Sequence, residues 1–347
     1  MPKFSIRSLY ADPQLRSGWY SDKYFVRSQA ALKKENLHPK VVMQVFCKKE
    51  ALLCGVEEAV LCLKKASLAP KKIKIYALKD GMRIKPWESV MHIVGDYTSF
   101  AHLETVYLGI LARRTSVATA VRRVVDAASG RPLLFFSARF DHFLEQPGDG
   151  YAAFIGGAKG VSTEANTAWV KGRQAFGTLP HALIAACGGD TVNASLIFDR
   201  NMPRKIQRIV LVDFENDCVK TSLAVARALG KRLWGVRLDT ARELRDRSVK
   251  GHSRESYGVS AELVRKVRQA LDREGHRWVK IVVSGGFNEE RIRKFIAQRV
   301  PFDAVGIGSA FYHERIDFTA DIVKVNGRPC AKVGREYRPN HRLRKVG

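Results

Sequence analysis

The sequence predicts an α/β protein built on a barrel of parallel strands, preceded by a smaller α+β domain. From residue 133 onward, short apolar runs alternate with stretches of helical periodicity. Such a series indicates parallel β/α units, and its length favours a closed barrel over an open sheet. Before residue 100, short strand patterns flank one amphipathic helix, and strand-like sequence returns after residue 319. We therefore expect the end of the chain to pack back on the first domain.

The first domain is predicted from its periodicity. The chain up to about residue 40 has only weak periodicity, so no element is predicted there. A stripe of apolar residues predicts a helix over 50–66, and helical periodicity returns over 102–129, where it ends at Gly130-Arg131-Pro132. The predicted strands are 41–46, 73–76, 82–84 and 90–94.

The barrel region contains the alternating elements. Apolar runs predict strands at 133–136, 152–155, 209–212, 233–238, 279–283 and 304–307. The intervening sequence predicts helices near 162–175, 180–187, 217–229, 260–275 and 288–298. After it, 321–327 has the pattern of a strand that leads into a hairpin turn, and a basic tail follows.

Composition restricts the class of protein. The 347 residues have 46% hydrophobic content, which is ordinary for a globular chain, but a formal net charge of +26, which indicates an anionic partner. The positive excess lies at both ends, and no arginine-glycine repeat or zinc-finger spacing accompanies it, so a phosphorylated substrate is favoured over nucleic acid. The six cysteines form no CxxC pair. Without a signal peptide or a membrane-spanning apolar run, we expect a reduced cytoplasmic protein with buried thiols.

One histidine stands where it can face a ligand. In the run 177–184, His181 lies between a turn signal, which includes Thr178, and the start of an apolar helix. Further along, the alternation of side chains in 235–240 sends Arg237 and Asp239 to the same side at the end of an apolar strand. Two charges on one interior side need partners, so a binding site is favoured there over a structural ion pair.

An arginine and several glycine-rich segments follow other predicted strands. Arg139 follows the first barrel strand and either binds a carboxylate or pairs with the neighbouring Asp141. The glycines and hydroxyls of 156–163 suggest either an anion-binding loop or a simple capping turn with Ser162 as N-cap. The last two predicted strands end in 284–286 and 306–309, where barrel enzymes commonly bind phosphate through main-chain donors.

Taken in order, eight segments of the chain resemble nicotinate phosphoribosyltransferases, a family of type II phosphoribosyltransferases. Its shorter archaeal and bacterial branch is the most similar. The segments are 21–25, 103–105, 113–119, 137–139, 177–182, 235–240, 284–287 and 306–309. The resemblance implies an irregular, TIM-like α/β barrel with an N-terminal α+β sandwich completed by C-terminal strands. The implied domains are 1–110 for the sandwich, 111–316 for the barrel, and 317–347 for the C-terminal strands and basic tail.

The resemblance also implies an activity. It is the transfer of the phosphoribosyl group of 5-phosphoribosyl 1-diphosphate to nicotinate, giving nicotinate mononucleotide and diphosphate in NAD biosynthesis or salvage. Mg²⁺ is the implied cofactor, with no protein-only metal site. ATP is the implied co-substrate, coupled through transient phosphorylation of His181, which matches the family histidine in its spacing from Thr178. Family members are homodimers with shared active sites.

Carried over by residue, the resemblance assigns roles. Tyr24 and Phe136 would sandwich the pyridine ring, and Arg139 would face its carboxylate and nearby diphosphate oxygens. Arg237 would lie beside the pyridine, and Asp239 would contact ribose hydroxyls or Mg²⁺ and stabilise positive charge at the anomeric carbon. The implied 5-phosphate site comprises Gly285, Gly286, Gly308 and Ser309, and Thr178 is placed among the substrate-binding residues.

The chain departs from the family pattern in two places. Cys330 stands alone where some members carry a cysteine-rich metal knuckle, and Asp239 is followed by Thr240-Ala241-Arg242 instead of Ser-Gly-Asp. The second departure bears on the coupling to ATP.

Other functions remain open. A quinolinate phosphoribosyltransferase must bind two carboxylates, and relatives of that type have Glu-Arg-Thr where this chain has Glu104-Thr105-Val106. A nicotinamide phosphoribosyltransferase is usually longer. From a different class, the chain could be a basic nucleic-acid-binding protein on an inactive barrel, which would show salt-sensitive binding without turnover.

Overall fold

The computed structural model describes residues 10–251 and 253–346, so residues 1–9 of the predicted first domain lie outside the described residues. The chain opens with two helices, α1 (Pro13–Ser17) and α2 (Lys23–Lys34). Asp12 caps α1 by accepting a hydrogen bond from the amide of Gln14. No residue of α2 is buried, and α1 has five residues; neither helix was predicted from the weak periodicity of this part of the chain.

The first domain otherwise confirms the predicted order of elements. It contains β1 (Lys40–Cys47), β2 (Ala51–Leu52), α3 (Val56–Ala66), β3 (Lys74–Ala77), β4 (Arg83–Ile84) and β5 (Ser89–Asp96). The predicted helix 50–66 begins later than expected because Ala51 and Leu52 pair with β4 instead. Gly55, at φ 93°, precedes α3, and a Cβ atom there would lie 3.0 Å from the side chain of Arg114.

A long helix, α4 (Glu104–Ala127), joins the first domain to the barrel and confirms the prediction over 102–129. Its N-terminal half places Tyr107 and Leu111 in the core of the first domain. Its C-terminal half places Val117 and Val121 in the core of the barrel. The same helix therefore contributes to two hydrophobic cores.

The barrel region alternates strands and helices. Its elements are β6 (Leu133–Phe135), α5 (Gln146–Gly156), β7 (Gly160–Val161), α6 (Glu164–Thr167), α7 (His181–Ala186), α8 (Thr191–Asn201), β8 (Arg208–Leu211), α9 (Cys218–Leu229), β9 (Leu233–Leu238), α10 (Ala261–Arg273), β10 (Lys280–Val283), α11 (Glu289–Ala297) and β11 (Ala304–Ile307). The strands form a parallel sheet in the order β7-β6-β11-β10-β9-β8.

An extended segment without a regular strand closes this sheet. The amide of Phe176 donates to the carbonyl of Val161 in β7 at 2.7 Å, and the amide of Leu179 donates to the carbonyl of Ile209 in β8 at 2.9 Å. The segment 176–179 thus contacts both edge strands of the curled sheet. This is the irregular α/β barrel that the sequence predicted.

Two predicted elements of the barrel were wrong. Residues 152–155 belong to α5 and not to a strand, because a short apolar run fits a buried helix face equally well. The predicted helix 162–175 is confined to α6. The segment 156–163 follows a helix and not a strand: Gly157, at φ 102°, ends α5, and Thr163 rather than Ser162 caps α6.

The C-terminal strands complete the first domain, as predicted. They are β12 (Phe318–Val325), β13 (Arg328–Pro329) and β14 (Arg344–Val346). β12 pairs antiparallel with β1, and β14 pairs antiparallel with β3. The resulting sheet has the order β13-β12-β1-β5-β3-β14. Asn326 and Gly327, at φ 49° and 83°, form the hairpin turn that the sequence indicated.

A buried ionic cluster ties the two domains together. Arg114 of α4 is 7% exposed and contacts Glu58 of α3 at 2.8 Å, Glu145 at 3.0 Å and Asp149 of α5 at 3.4 Å. Tyr10 donates to the same Glu58 at 2.6 Å. The carboxylates pair with the nitrogens of the guanidinium, and these ion pairs offset the free-energy cost of burying its charge.

The cysteines are unpaired. Cys47, Cys54, Cys62 and Cys218 are buried, as predicted for most of them, whereas Cys187 is half-buried and Cys330 is exposed. Within the described ranges, no helix combines the length and the apolar character needed to cross a membrane.

Candidate active site at the carboxyl ends of the barrel strands

A cavity of about 550 Å³ lies at the carboxyl ends of β6, β9, β10 and β11. Most of the predicted site residues line it, although they come from separate parts of the chain. Those that do are Phe136, Arg139, Thr178, His181, Arg237, Asp239, Gly285, Gly286, Gly308 and Ser309. They meet because parallel strands bring their carboxyl ends, and the loops that follow, to one face of the barrel.

Arg237 connects three of the segments that form the cavity. From β9, its Nε donates to the hydroxyl of Ser284 at 2.8 Å, and its two terminal nitrogens donate to Thr178 at 3.2 Å and Asp239 at 3.1 Å. The guanidinium carbon lies 4.8 Å from the centre of the Phe136 ring. The planar guanidinium is therefore held by three hydrogen bonds, and it places a positive charge beside an aromatic ring.

Asp239 is held by two neighbours. Its Oδ2 accepts from Arg237, and its Oδ1 accepts from the hydroxyl of Ser284 at 2.8 Å. Its side chain is 21% exposed. The alternation of side chains in β9 thus placed Arg237 and Asp239 together, as predicted, and the structure adds Ser284 as a bridge between them.

His181 starts α7 and forms a hydrogen bond with Asp213, which follows β8. The ring Nε2 lies 3.0 Å from Oδ1 of Asp213, whose side chain is 9% exposed. This hydrogen bond raises the pKa of His181, and the negative charges of Asp213 and Asp239 also raise it. Burial of the ring and the positive charge of Arg237 lower the pKa, but the net shift is upward. Nε2 is therefore anchored, and the described residues provide no hydrogen-bond partner for Nδ1.

Two glycines make room for aromatic rings. A Cβ atom on Gly306 would lie 2.4 Å from Cε2 of Phe136, and one on Gly308 would lie 2.2 Å from Cε2 of Phe140. Both distances are far below van der Waals contact. The segment 306–309 therefore has glycine where ring edges approach the backbone of β11 and the turn after it.

The glycine pair after β10 has left-handed backbone and is supported from behind by two arginines. Gly285 and Gly286 have φ values of 79° and 74°. Arg291 donates to the carbonyl of Gly285 at 3.1 Å, and Arg242 donates to the carbonyl of Gly286. Burial, together with the charge of Arg242, lowers the pKa of Arg291 to about 10. A Cβ atom on Gly286 would lie 2.1 Å from Nε of Arg242, so a side chain there would displace this support.

Arg139 is not paired with its neighbour Asp141. Asp141 instead contacts Arg113 of α4 at 2.6 Å. Arg139 is exposed, lines the cavity and places its guanidinium 5.2 Å from the centre of the Phe140 ring. Of the two alternatives that the sequence left open, the structure therefore removes the local ion pair.

Tyr24 is the predicted site residue that does not line this cavity. It lies on α2 in the first domain, its side chain is 60% exposed, and its ring contacts Phe25 with a centroid separation of 4.2 Å. Within one chain, the predicted sandwich of a ring between Tyr24 and Phe136 is not formed.

Sequence reasoning missed several residues that support the site. Asp213 follows the apolar strand β8, the same kind of signal that identified Asp239, and it could have been found in that way. Ser284 was noted only as part of a glycine-rich turn. Arg242 and Arg291 gave no signal, because their role depends on which backbone carbonyls the fold brings to them.

The arrangement of acidic groups bears on metal binding. Among the described residues, no three His, Cys, Asp or Glu side chains lie together in a group that could hold a metal ion. Asp239 is the carboxylate that lines the cavity.

Comparison with known proteins gives consistent results. The family profile described as "Quinolinate phosphoribosyl transferase, N-terminal domain" matches residues 22–115. A nicotinate phosphoribosyltransferase of Mycobacterium tuberculosis is 30% identical over 264 residues, 73% of this chain and 54% of that protein. One of Bacillus subtilis is 25% identical over 242 residues, 67% of this chain and 44% of that protein. The chain spans about half the length of these curated relatives.

Solved structures extend the similarity to most of the chain. A structure of nicotinate-nucleotide pyrophosphorylase from Pyrococcus furiosus has a TM-score of 0.82 and 34% sequence identity, and covers 96% of this chain and 84% of its own. Human nicotinic acid phosphoribosyltransferase, at 18% identity and a TM-score of 0.66, shares the fold over 89% of this chain and 75% of its own. Together with the eight segments, these similarities establish that the chain belongs to the nicotinate phosphoribosyltransferase family of type II phosphoribosyltransferases.

Proposed function

We propose that this protein transfers the phosphoribosyl group of 5-phosphoribosyl 1-diphosphate to nicotinate, giving nicotinate mononucleotide and diphosphate. The main support is that one cavity contains a fixed guanidinium, an aromatic ring, a carboxylate and glycine-rich turns. A flat aromatic acid needs stacking and a positive group, and a phosphorylated sugar needs main-chain donors and cations. The curated relatives of Mycobacterium tuberculosis and Bacillus subtilis are named for the same reaction.

The roles follow from the positions of the side chains. Phe136 and Arg237, 4.8 Å apart, would hold the pyridine ring, and Arg139 would bind its carboxylate or the diphosphate. The 5-phosphate would bind at Gly285, Gly286, Gly308 and Ser309, after the last two barrel strands.

Asp239 would act at the reacting carbon. As the bond to diphosphate lengthens, positive charge develops on the anomeric carbon, and a carboxylate held in place by Arg237 and Ser284 stabilises it without reorganising. Since Mg²⁺ commonly uses one or two protein carboxylates together with substrate phosphates, Asp239 also fits as its protein ligand. Bound there, Mg²⁺ would supply neutralisation of the charge on diphosphate.

His181 would couple the reaction to ATP. The proposal is that Nδ1 attacks the γ-phosphorus of ATP, the bond from that phosphorus to the β-phosphate oxygen breaks and ADP leaves, while Nε2 stays anchored on Asp213. Supporting this, the ring lies in the same cavity as Arg237, so phosphorylation would place new negative charge near the diphosphate site.

Tyr24 suggests how the site is completed. Because its exposed ring lies outside the cavity of its own chain, we propose a homodimer in which α2 of the partner subunit covers the pyridine. The measured mass in solution tests this, and Tyr24→Ala should raise the KM for the pyridine acceptor.

Quinolinate is the second candidate acceptor. The family profile that matches residues 22–115 carries its name, and two arginines, Arg139 and Arg237, line the cavity and could pair with two carboxylates. A nicotinamide acceptor has no carboxylate and would leave both of these cations without a charged partner on the ring.

A turnover assay distinguishes these functions. The purified chain is incubated with Mg²⁺, 5-phosphoribosyl 1-diphosphate and one of nicotinate, nicotinamide or quinolinate, with and without ATP, and the mononucleotide is measured by chromatography. We expect product with nicotinate and stimulation by ATP. Product from quinolinate alone, or from none of the three, would overturn the proposal.

The coupling to ATP needs its own variants. His181→Ala should lose ATP stimulation but retain slow transfer, because the residues assigned to substrate binding remain. His313→Ala, an exposed histidine outside the cavity, serves as control. Unchanged ATP stimulation in His181→Ala would exclude the assigned role.

A further inference from the structure

The opposite end of the barrel carries a groove that the proposed reaction does not use. Two cavities, of about 570 and 620 Å³, lie at the amino-terminal ends of the parallel strands. They share Lys205, Ile206, Gln207, Trp234 and Lys280, so they form one continuous depression. We call it the amino-terminal groove. Its lining comes from the turns that precede β6, β7, β8, β9, β10 and β11.

Cations dominate this groove. Its lining includes Lys159, Arg204, Lys205, Arg208, Lys231, Arg232 and Lys280, against two acids, Asp199 and Asp303. Both acids are already engaged: Asp199 pairs with Arg208 and Arg232, and Asp303 pairs with Lys280 at 3.1 Å.

Four of the cations have no acidic partner among the described residues. For Lys159, Arg204, Lys205 and Lys231, all exposed, the part of the chain that the structure describes supplies no carboxylate within ion-pair distance. Unpaired charges of one sign, collected on one concave surface, raise the local concentration of anions there.

Aromatic rings lie among these cations. Trp278 and Trp234 are half-buried and line the groove, and Phe176 lies where the groove adjoins the catalytic cavity and lines both. The ammonium of Lys231 lies 3.5 Å from the centre of the Trp278 ring. The indole Nε1 of Trp278 is buried without a hydrogen-bond partner. Rings and cations therefore line the same depression, and one ring and one cation are in direct contact.

We propose that the amino-terminal groove binds single-stranded nucleic acid. Cations that follow a backbone, interleaved with aromatic side chains on which unpaired bases stack, are the features by which proteins hold single strands without sequence preference. In a duplex the bases are stacked on each other and cannot reach Trp278 or Trp234. This use also accounts for part of the net charge of +26. The Lys and Arg residues that line the catalytic cavity are Arg139 and Arg237, so the proposed reaction involves few of the basic side chains.

The test is direct binding to a defined probe. Fluorescence anisotropy with a labelled 12-nucleotide oligothymidylate is measured between 50 and 200 mM NaCl. Arg204→Glu/Lys205→Glu should weaken binding at least tenfold and make the salt slope shallower by about 1.4, since each lost phosphate contact in a single strand contributes about 0.7. Lys71→Glu/Lys72→Glu is the matched control: it changes the net charge by the same amount at two exposed residues of the first domain.

A second comparison isolates the aromatic contribution. The parent should bind oligothymidylate about 5- to 100-fold more tightly than an abasic strand of equal length, and Trp278→Ala should reduce that preference. A 12-base-pair duplex should bind more weakly than the single strand.

Three results would overturn the proposal. They are equal affinity of the parent for the abasic strand or the duplex, equal loss of binding in the control variant, and no binding to the oligothymidylate at 50 mM NaCl. Phosphoribosyl transfer should be unchanged in Arg204→Glu/Lys205→Glu, so failure of this proposal would leave the proposed function untouched.

Discussion

Replacement of Arg237 by lysine tests the central arrangement of the candidate site. The guanidinium reaches Ser284, Thr178 and Asp239 from three separate nitrogens, at 2.8, 3.2 and 3.1 Å. An ammonium carries the same charge but sits at one point, so it keeps about one of these contacts. The loss of two charge-assisted hydrogen bonds, at about 1.5 kcal/mol each, amounts to about 3 kcal/mol.

If these contacts hold the site in its reactive geometry, the rate should fall by about two powers of ten, because each 1.36 kcal/mol corresponds to a tenfold change. The assay is kcat/KM for nicotinate at saturating 5-phosphoribosyl 1-diphosphate, together with a thermal melt. Arg293→Lys, in an exposed i,i+4 pair with Glu289, is the control and should stay near the parent. Activity of Arg237→Lys within threefold of the parent would refute the reasoning.

The remaining predictions concern pH, packing and stability. In Asp213→Asn the hydrogen bond and charge that raise the pKa of His181 are weakened. The neutral ring then persists to lower pH, and the rising limb of the ATP-stimulated rate should move to lower pH; an unmoved limb would contradict the assignment. In Gly306→Ala the new Cβ atom meets the Phe136 ring, and a penalty of about 1.4 kcal/mol would raise the KM for the pyridine acceptor about tenfold. Gly109→Ala, which meets no atom within 4 Å, should leave that KM unchanged. Arg114→Leu should lower the free energy of unfolding in urea by about 3–5 kcal/mol, because buried carboxylates lose their partner. For the exposed pair of Arg123 and Glu314, Arg123→Leu should cost at most about 1 kcal/mol.

Strong periodicity explains why much of the fold could be predicted. Strands β9, β10 and β11 are apolar runs bounded by turn residues, and helices such as α9 and α10 show an apolar stripe against polar faces. Where periodicity failed, the packing explains it. The run 152–155 lies within α5, with Ala152 and Ala153 buried. Gly150 allows close approach of this helix, since a Cβ atom there would lie 2.0 Å from the backbone of Asn166.

The candidate site divides in a similar way. The two-residue period of β9 was enough to place Arg237 and Asp239 on one side, and the turn signals after β10 and β11 were enough to indicate glycine-rich loops. His181 and Asp213 are 32 positions apart in the sequence, and a local sequence pattern cannot predict a contact between residues so far apart.

The sequence by itself determined the alternating elements, the excess of positive charge and the types of side chain at the strand ends, because these depend on local periodicity and composition. Only the tertiary structure decided which residues meet. Closure of the parallel sheet gathers the carboxyl strand ends into the cavity of Arg237, Asp239 and His181. It gathers the amino ends, with their lysines, arginines and tryptophans, at the opposite face. Cations that are scattered along the sequence become one basic groove because they precede neighbouring strands of the same barrel.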